Sequence, residues 1–458
     1  MTLTDQQTAE TGERSRSQRL RERLSRRFPR AATMLIAAAI VVVLNGLHVH
    51  SYTAVSPFDE NLHIDQLVRS SHLEFVQIDD GLAQESMHEV ACRGSEVVVF
   101  PACKDGRYDP NDFSYKGWNT ASSAPPYYYL ATGVTARILS APAGNSIVNW
   151  GRVLGSLWLL VGIYFVVRAA EYFAVSRLSL LLAVALAIAS PSLLHASNII
   201  TSDATAFVGG AAVLLAGLAW EKRRAPLWLL AVAAAFCASF DSTNAIGVVV
   251  VLFYFAVRAV AGRRKELIEA VRPWRDYLVA GLAAAASAAV AVLSWRVVYQ
   301  LFSHDVDLSH TDQVRAFRVD HLDLKMLFGK DTIFSVFPPV SGYVPPVLTT
   351  TAYSLFTQAA VILIGGLLIA AALRTNLGDR LSALGTATLA ALIATPVLFV
   401  IYNFVSASQY FPILSRNALA AFPAIALVAA SVPRTRFGLA LLGIVAGGLY
   451  VSAVVALL

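Results

Sequence analysis

The chain has 458 residues, 56% of them hydrophobic and 14% charged, and its mean hydropathy is +0.59. These values exclude a single soluble domain and fit a protein that crosses a bilayer many times. The net charge of +6 falls in short clusters between apolar runs, so it reads as a set of topology signals and not as a nucleic-acid surface.

Residues 1–30, MTLTDQQTAETGERSRSQRLRERLSRRFPR, are polar and Arg-rich and cannot build a core. They are expected to form a cytoplasmic tail whose end lies as a basic helix on anionic lipid. The run 31–49 follows as the first span, its N-terminus held inside by the basic flank. A retained anchor is favoured over a cleaved signal peptide, because many apolar segments come after it. Ten more can be drawn, at 147–168, 178–197, 200–219, 226–240, 243–261, 277–301, 347–373, 381–402, 415–432 and 437–457. The expected fold is therefore an all-α polytopic membrane protein with about 11 transmembrane helices, residues 31–458 forming one transmembrane domain.

With the N-terminus inside, each cytoplasmic connection is basic. They carry Arg168 and Arg177, EKRR at 221–224, GRRKE at 262–266 with Arg272 and Arg275, Arg374 and Arg380, and Arg434 and Arg436. The abundance of Ala and of Arg over Lys is typical of a GC-rich bacterial genome, so a bacterial plasma membrane with the C-terminus outside is expected. The stretch 127–139 is too short for a comfortable span and reads as an interfacial or re-entrant helix.

Two long connections, 50–146 and 302–346, then fall on the outer face. In the first, NLHIDQLVRSSHLEF has near-helical apolar spacing, which predicts a short amphipathic helix with one face on the membrane and its acids in water. CKDGRYDPNDFSYKGWN has the composition of turns. Cys92 and Cys103 share this loop, and in an oxidising compartment a disulfide between them is expected.

Asp59 and Glu60 stand in SPFDENLH, just where the chain leaves the first span. A carboxylate pair at that boundary is costly to desolvate unless it is paired, protonated or bound to a cation, and such a place suits a general base; the plain alternative is a solvated loop. Arg152 and Asp203 sit at the outer ends of two later spans, so all four share one membrane level. An acid flanked by apolar runs, like Asp203, is expensive to ionise and points to function, with a helix N-cap as its plain alternative.

The order SPFDENLH, PPYYYL, GRVLGSL, SPSLLHASNIITSD and SQYFPILSRNALAAFPAI resembles the GT-C superfamily of polyprenyl-phosphate-dependent glycosyltransferases over nearly the whole chain. It is most similar to the bacterial branch called DUF2142, and more distantly to the aminoarabinose and protein mannosyl transferases. Asp59, Glu60 and His63 match the family's Asp-Glu followed three residues on by His. Gln409, Tyr410 and Pro412 only approximate its late Gly-Arg-Tyr motif, with Ser408 where Arg often stands.

The resemblance implies a transferase on the outer face, passing a sugar from a polyprenyl-phosphate donor to a cell-envelope glycan, lipid or protein. In that reading Asp59 is the general base, and Glu60 and Asp203 orient the acceptor or hold a divalent cation; Asp59, Glu60 and Asp203, with His63 as a further ligand, permit Mg or Mn without requiring it. His63, Arg152 and Tyr410 contact substrate, and Arg296 and Arg416 grip the leaving phosphate. The plain alternative for both arginines is an interfacial anchor that snorkels. The second outer loop, with His304, Asp305, Asp307, His310, Asp312, Arg315, Arg318, Asp320 and His321, is either a solvated run or a headgroup lid with FSVFPPVSGY as its aromatic anchor.

A flippase for lipid-linked saccharides is the first competing reading, but it calls for mid-span ionisable residues and an internal repeat, and the mid-spans here are Ala, Val and Leu. A glycan polymerase or O-antigen ligase normally has a short first outer loop; a membrane scaffold is the non-enzymatic reading. GxxxxGK[ST] and a helix-opening GxGxxG are both missing, which argues against direct use of a nucleotide.

Overall fold

Each apolar segment drawn from the sequence is helical, and among the described residues there are isolated β-bridges but no strand. The computed structural model describes residues 30–458 except 58, 78–79, 144–145, 174, 265–271, 303–317, 334, 337–339, 375–377 and 411–413. The expected basic tail lies outside the described residues, as do His304, Asp305, Asp307, His310, Asp312, Arg315 and Pro412.

The first half of the chain forms α1 (Arg30–Ser51), α2 (Glu60–Ser71), α3 (Gln84–Arg93), α4 (Tyr127–Ala143), α5 (Ile147–Ala169), α6 (Arg177–Ala189), α7 (Pro191–Ala196) and α8 (Ala206–Glu221). There follow α9 (Leu227–Phe240), α10 (Ala245–Arg263), α11 (Trp274–Phe302), α12 (Leu324–Phe328), α13 (Lys330–Ile333), α14 (Thr351–Ala372), α15 (Arg380–Ala407), α16 (Phe422–Ser431) and α17 (Arg436–Leu457). Among the described residues eight helices are long and apolar enough to cross a membrane: α1, α5, α8, α10, α11, α14, α15 and α17. Helices α6 and α9, and α16 with the turn before it, are apolar but shorter.

Several of the eleven segments differ in detail from plain spans, three of them around the candidate site. Segment 178–197 breaks at Ser190, whose extended backbone ends α6 before Pro191 opens α7 at N1, where a missing N–H does no harm. Segments 200–219 and 415–432 each begin with a 3₁₀ turn, Ser202–Thr205 and Ser415–Ala421. Both irregular starts lie at the candidate site.

Side-chain contacts sort the helix ends into two groups. At one end Arg30 pairs with Glu171 at 3.0 Å, the guanidinium of Arg224 lies over Tyr172, and Ser179 Oγ donates to Ala430 O at 2.6 Å. Here Glu221, from the EKRR cluster, is buried and accepts from Tyr254 Oη (2.7 Å), Arg258 Nε (2.8 Å), Tyr277 Oη (2.9 Å) and Arg380 Nε (3.0 Å). One carboxylate thus ties α8 to α10, α11 and α15. At the other end Ser51 Oγ donates to Leu457 O at 2.6 Å and Tyr353 Oη to Ala189 O at 2.9 Å. The basic connections gather at the first end and the long loops at the second, as alternation of the spans requires.

The loop-bearing end is capped by its own hydrophobic cluster, in which Leu62, Ile64, Leu67 and Val68 of α2 pack with Met87, Val90, Tyr128 and Tyr129. Helix α2 is enclosed here, whereas the sequence suggested one face on lipid and its acids in water. The reason is that its acids have partners inside: Asp65, fully buried, accepts from Arg69 Nε (3.2 Å), Ala83 N (2.7 Å) and Asn119 Nδ2 (2.8 Å). A disulfide joins Cys92 to Cys103 in this cap.

Candidate active site

Asp59 is the N-cap residue of α2, but it holds a left-handed conformation (φ 59°, ψ 10°) and its side chain makes no capping hydrogen bond. An Asp at this position ordinarily turns its carboxylate onto the first turn of the helix. Here it faces Arg416 instead, with Oδ2 and Nη2 3.9 Å apart. A non-glycine residue at positive φ is uncommon and marks a site where the surroundings over-determine the backbone.

Asp203 is released in a similar way. It sits in the turn before α8, but the cap is Thr201, whose Oγ1 accepts from the Asp203 N–H. The Asp203 carboxylate then lies 3.6 Å from Arg416 Nε, so one guanidinium faces both acids. Arg416 is carried there by the 3₁₀ turn Ser415–Ala421, which presses on Gly210 of α8 so closely that a Cβ would run into the Ala420 carbonyl.

Glu60 and Arg152 meet each other. The fully buried Glu60 accepts from Arg152 Nε (2.9 Å) and Nη2 (2.7 Å), Ser56 N (2.7 Å) and Ile200 N (2.8 Å). Arg152 donates also to Tyr52 O and Ala54 O, both at 2.7 Å. The four contacts on Glu60 occupy both carboxylate oxygens, and the pair pins the start of the outer loop to α5 and to the turn before Asp203. His63 bonds Tyr129 Oη through Nδ1 at 2.6 Å, and burial, with the positive charge of Arg416, pushes its pKa down to about 3, so the imidazole is neutral. Burial also pushes the Asp59 carboxyl above its ordinary value, against the pull of Arg416, although 49% of its side chain remains accessible.

Asp203 and Arg416 line a cavity of about 210 Å³ with His195, Tyr343 and Ser415. Ser202 Oγ donates to Asp241 Oδ2 at 2.8 Å, and Asp241 lines a second chamber of about 650 Å³ with Trp295, Arg296, Tyr299 and Tyr402. Arg296 Nη1 donates to Tyr402 Oη at 2.8 Å. Below the chamber, and sharing Ser242, Val292 and Tyr402 with it, an apolar groove of about 430 Å³ runs between α10, α11 and α15 past Ala288 and Phe399. The Ser202–Asp241 hydrogen bond thus ties the turn that carries Asp203 to an acid of the second chamber, and the groove shares three lining residues with that chamber.

The structure thus brings together Asp59, Asp203 and Arg416, with His63 behind them, and sets Arg296 in the neighbouring chamber. Tyr410 stands apart, its hydroxyl 3.1 Å from Thr332 Oγ1 of α13. Sequence reasoning missed His195, Tyr343 and Asp241. His195 lies inside the quoted SPSLLHASNIITSD stretch, its Nε2 2.9 Å from Ser56 Oγ and its ring against Tyr343. Asp241 carries the signal that singled out Asp203, a lone acid at the end of an apolar run.

Among the described residues no three His, Cys, Asp or Glu side chains are grouped to hold a metal. Glu60 is spent on Arg152, and a guanidinium stands near Asp59 and Asp203 where the expected Mg or Mn would lie.

No family model matches the chain, so the DUF2142 resemblance gains no support there, and no curated protein matches it either. Among solved structures the chain is similar to ArnT from Cupriavidus metallidurans bound to undecaprenyl phosphate, with 14% identity, a TM-score of 0.48, and coverage of 94% of this chain and 77% of that one. It is similar to the apo form of the same protein with 13% identity, a TM-score of 0.48, and coverage of 92% and 75%.

Proposed function

We propose that the chain is a membrane glycosyltransferase that moves a sugar from a polyprenyl-phosphate donor to a hydroxyl of an extracytoplasmic acceptor. The observation that carries this reading is the succession of an apolar groove, a chamber holding Arg296, and a carboxylate-bearing cavity at the end of the bundle away from the basic connections. A polyprenyl phosphate sugar has the same succession: an apolar tail, an anionic phosphate, and a polar ring. The positive-inside rule assigns this end to the outside.

In the proposed reaction Asp59 takes the proton of the acceptor hydroxyl as that oxygen attacks the anomeric carbon. The bond from this carbon to the phosphate oxygen breaks, its electron pair leaves with the phosphate, and Arg296 holds the charge that develops. Asp203 orients the acceptor, and Arg416 keeps the two carboxylates in register. Glu60 and Arg152 act through Asp59 by fixing its loop. No step passes through a metal.

The test is transfer by the purified protein from a panel of polyprenyl-phosphate pentoses and hexoses, comparing wild type with Asp59→Asn. Turnover of at least one donor by wild type and its collapse in the variant is expected. If no donor is turned over while a lipid-linked sugar crosses proteoliposomes, the protein is a transporter.

A further inference from the structure

Helices α11 and α15 flank the apolar groove and are tied together at both of its ends. At the inner end Tyr277 Oη of α11 and Arg380 Nε of α15 donate to one carboxylate, Glu221, at 2.9 and 3.0 Å. At the outer end Arg296 Nη1 of α11 donates to Tyr402 Oη of α15 at 2.8 Å, and the guanidinium carbon lies 5.9 Å from the centre of the Tyr402 ring. Between these ties Leu293 of α11 and Leu398 of α15 line the groove and are 56% and 55% exposed, so the groove is open along its flank.

The outer tie sits where the groove gives way to the chamber. Tyr402 lines both and Arg296 lines the chamber, so their bond spans the two flanking helices at the passage from one to the other. At that level α11 is also held to the outer loop, by Trp295 Nε1 donating to Ser123 O at 2.9 Å and by the 2.9 Å contact of Tyr299 Oη with Ser122 Oγ. Helix α15 has a weak point instead. Pro396 lies inside it, between Arg380 and Tyr402, and supplies no N–H to the helical ladder, so the outer turns can swing while the inner end stays on Glu221. The chemistry of the tie decides what opens it. The phenol is a neutral partner for Arg296, whereas a phosphate is ionised and can take two parallel hydrogen bonds from one guanidinium. A phosphate therefore displaces the phenol, and a neutral hydroxyl offers Arg296 nothing better than it has.

We propose that the Arg296–Tyr402 bridge is a selectivity latch, with Tyr402 as its specificity-determining residue. An isoprenoid chain lying in the groove brings its head into the chamber only when that head is a phosphate that draws Arg296 off Tyr402. A neutral polyprenol stays in the groove. The latch rests on the reading of groove and chamber as the path of a polyprenyl phosphate, but not on the transfer step, so binding and not turnover tests it.

The test gives the full-length protein, in phosphatidylcholine nanodiscs, a polyprenyl phosphate or the matching polyprenol, each with a diazirine in the isoprene unit next to the head, and maps labels on Asp241 and Trp295 of the chamber. In wild type the phosphate probe is expected to label the chamber and the polyprenol to label groove residues only. Tyr402→Phe keeps the ring and loses the hydroxyl. It should raise chamber labelling by the polyprenol about three- to tenfold, the weight of one partly exposed hydrogen bond, without lowering labelling by the phosphate probe. Arg296→Gln should admit the polyprenol in the same way and lower labelling by the phosphate probe. Chamber labelling by the phosphate probe with no gain for the polyprenol in Tyr402→Phe overturns the latch alone. So does a fall of phosphate-probe labelling in that variant, which makes Tyr402 a phosphate ligand and not a latch. No chamber labelling by the phosphate probe in wild type overturns the latch together with the reading on which it rests.

Discussion

Asp59 and Glu60 share a peptide bond, yet Glu60 is fully buried on Arg152 whereas Asp59 keeps 49% of its side chain open beside Arg416. The two should respond oppositely to removal of charge. Asp59→Asn is expected to lower the transfer rate by about 10²- to 10⁴-fold, the usual contribution of a positioned general base, while leaving thermal stability unchanged or slightly raised. The sign follows from its titration. Burial lifts the Asp59 pKa above its ordinary 3.8 in the folded protein, so the fold favours the protonated form. Stability from this group is present at low pH and falls as pH rises through the lifted value, where the carboxylate must ionise. Activity runs the other way, with an acid limb in kcat/KM centred above 3.8 that Asp59→Asn removes. Glu60→Gln should instead lower stability by about 3–5 kcal/mol, because it leaves the buried Arg152 charge uncompensated. Unfolding in nanodiscs of both variants separates the two roles, and equal destabilisation would contradict them.

At the scale of the element, what could be read from the sequence was periodicity and charge, and what could not be read was partnership. The eleven apolar segments and their basic flanks were legible because a bilayer fixes length and a membrane fixes sign. That Thr201 caps its turn and leaves Asp203 to Arg416 was not legible, since Asp and Thr are both good caps and only geometry chooses between them. Helix α2 is a related case. Its apolar spacing fits a lipid-facing helix and an enclosed one equally, and only the partners of Asp65, up to 54 residues away, decide for enclosure. Glu221 is a third case: in sequence it is one charge of EKRR, in space the acceptor of four side chains from three helices. The disulfide belongs to this scale too. It closes a loop of 11 residues, and Cys92→Ser with Cys103→Ser should destabilise the cap by roughly 2–3 kcal/mol. Faster proteolysis within residues 93–102 with little change in global melting would show it, and unchanged proteolysis would count against it.

For the whole molecule, the account depends on two ends of opposite character. One gathers the basic connections and the Glu221 junction; the other gathers the described parts of the outer loops, Asp59, Asp203 and the chambers. A cysteine placed at Lys116, in the cap, should react with an impermeant maleimide in intact cells, while one placed at Arg264 should react only after lysis; the reverse pattern would invert the protein in the membrane. The central claim joins that orientation to a lipid-borne donor entering through the groove between α10, α11 and α15. Its most direct test is photo-crosslinking of the full-length protein in nanodiscs with a polyprenyl phosphate that carries a diazirine in its tail, followed by peptide mapping. The account predicts labels on groove residues such as Ala288, Val292 and Phe399, lost on competition with unlabelled polyprenyl phosphate. Labels spread evenly over the lipid-facing helices, or concentrated on α1 and α5, would contradict it.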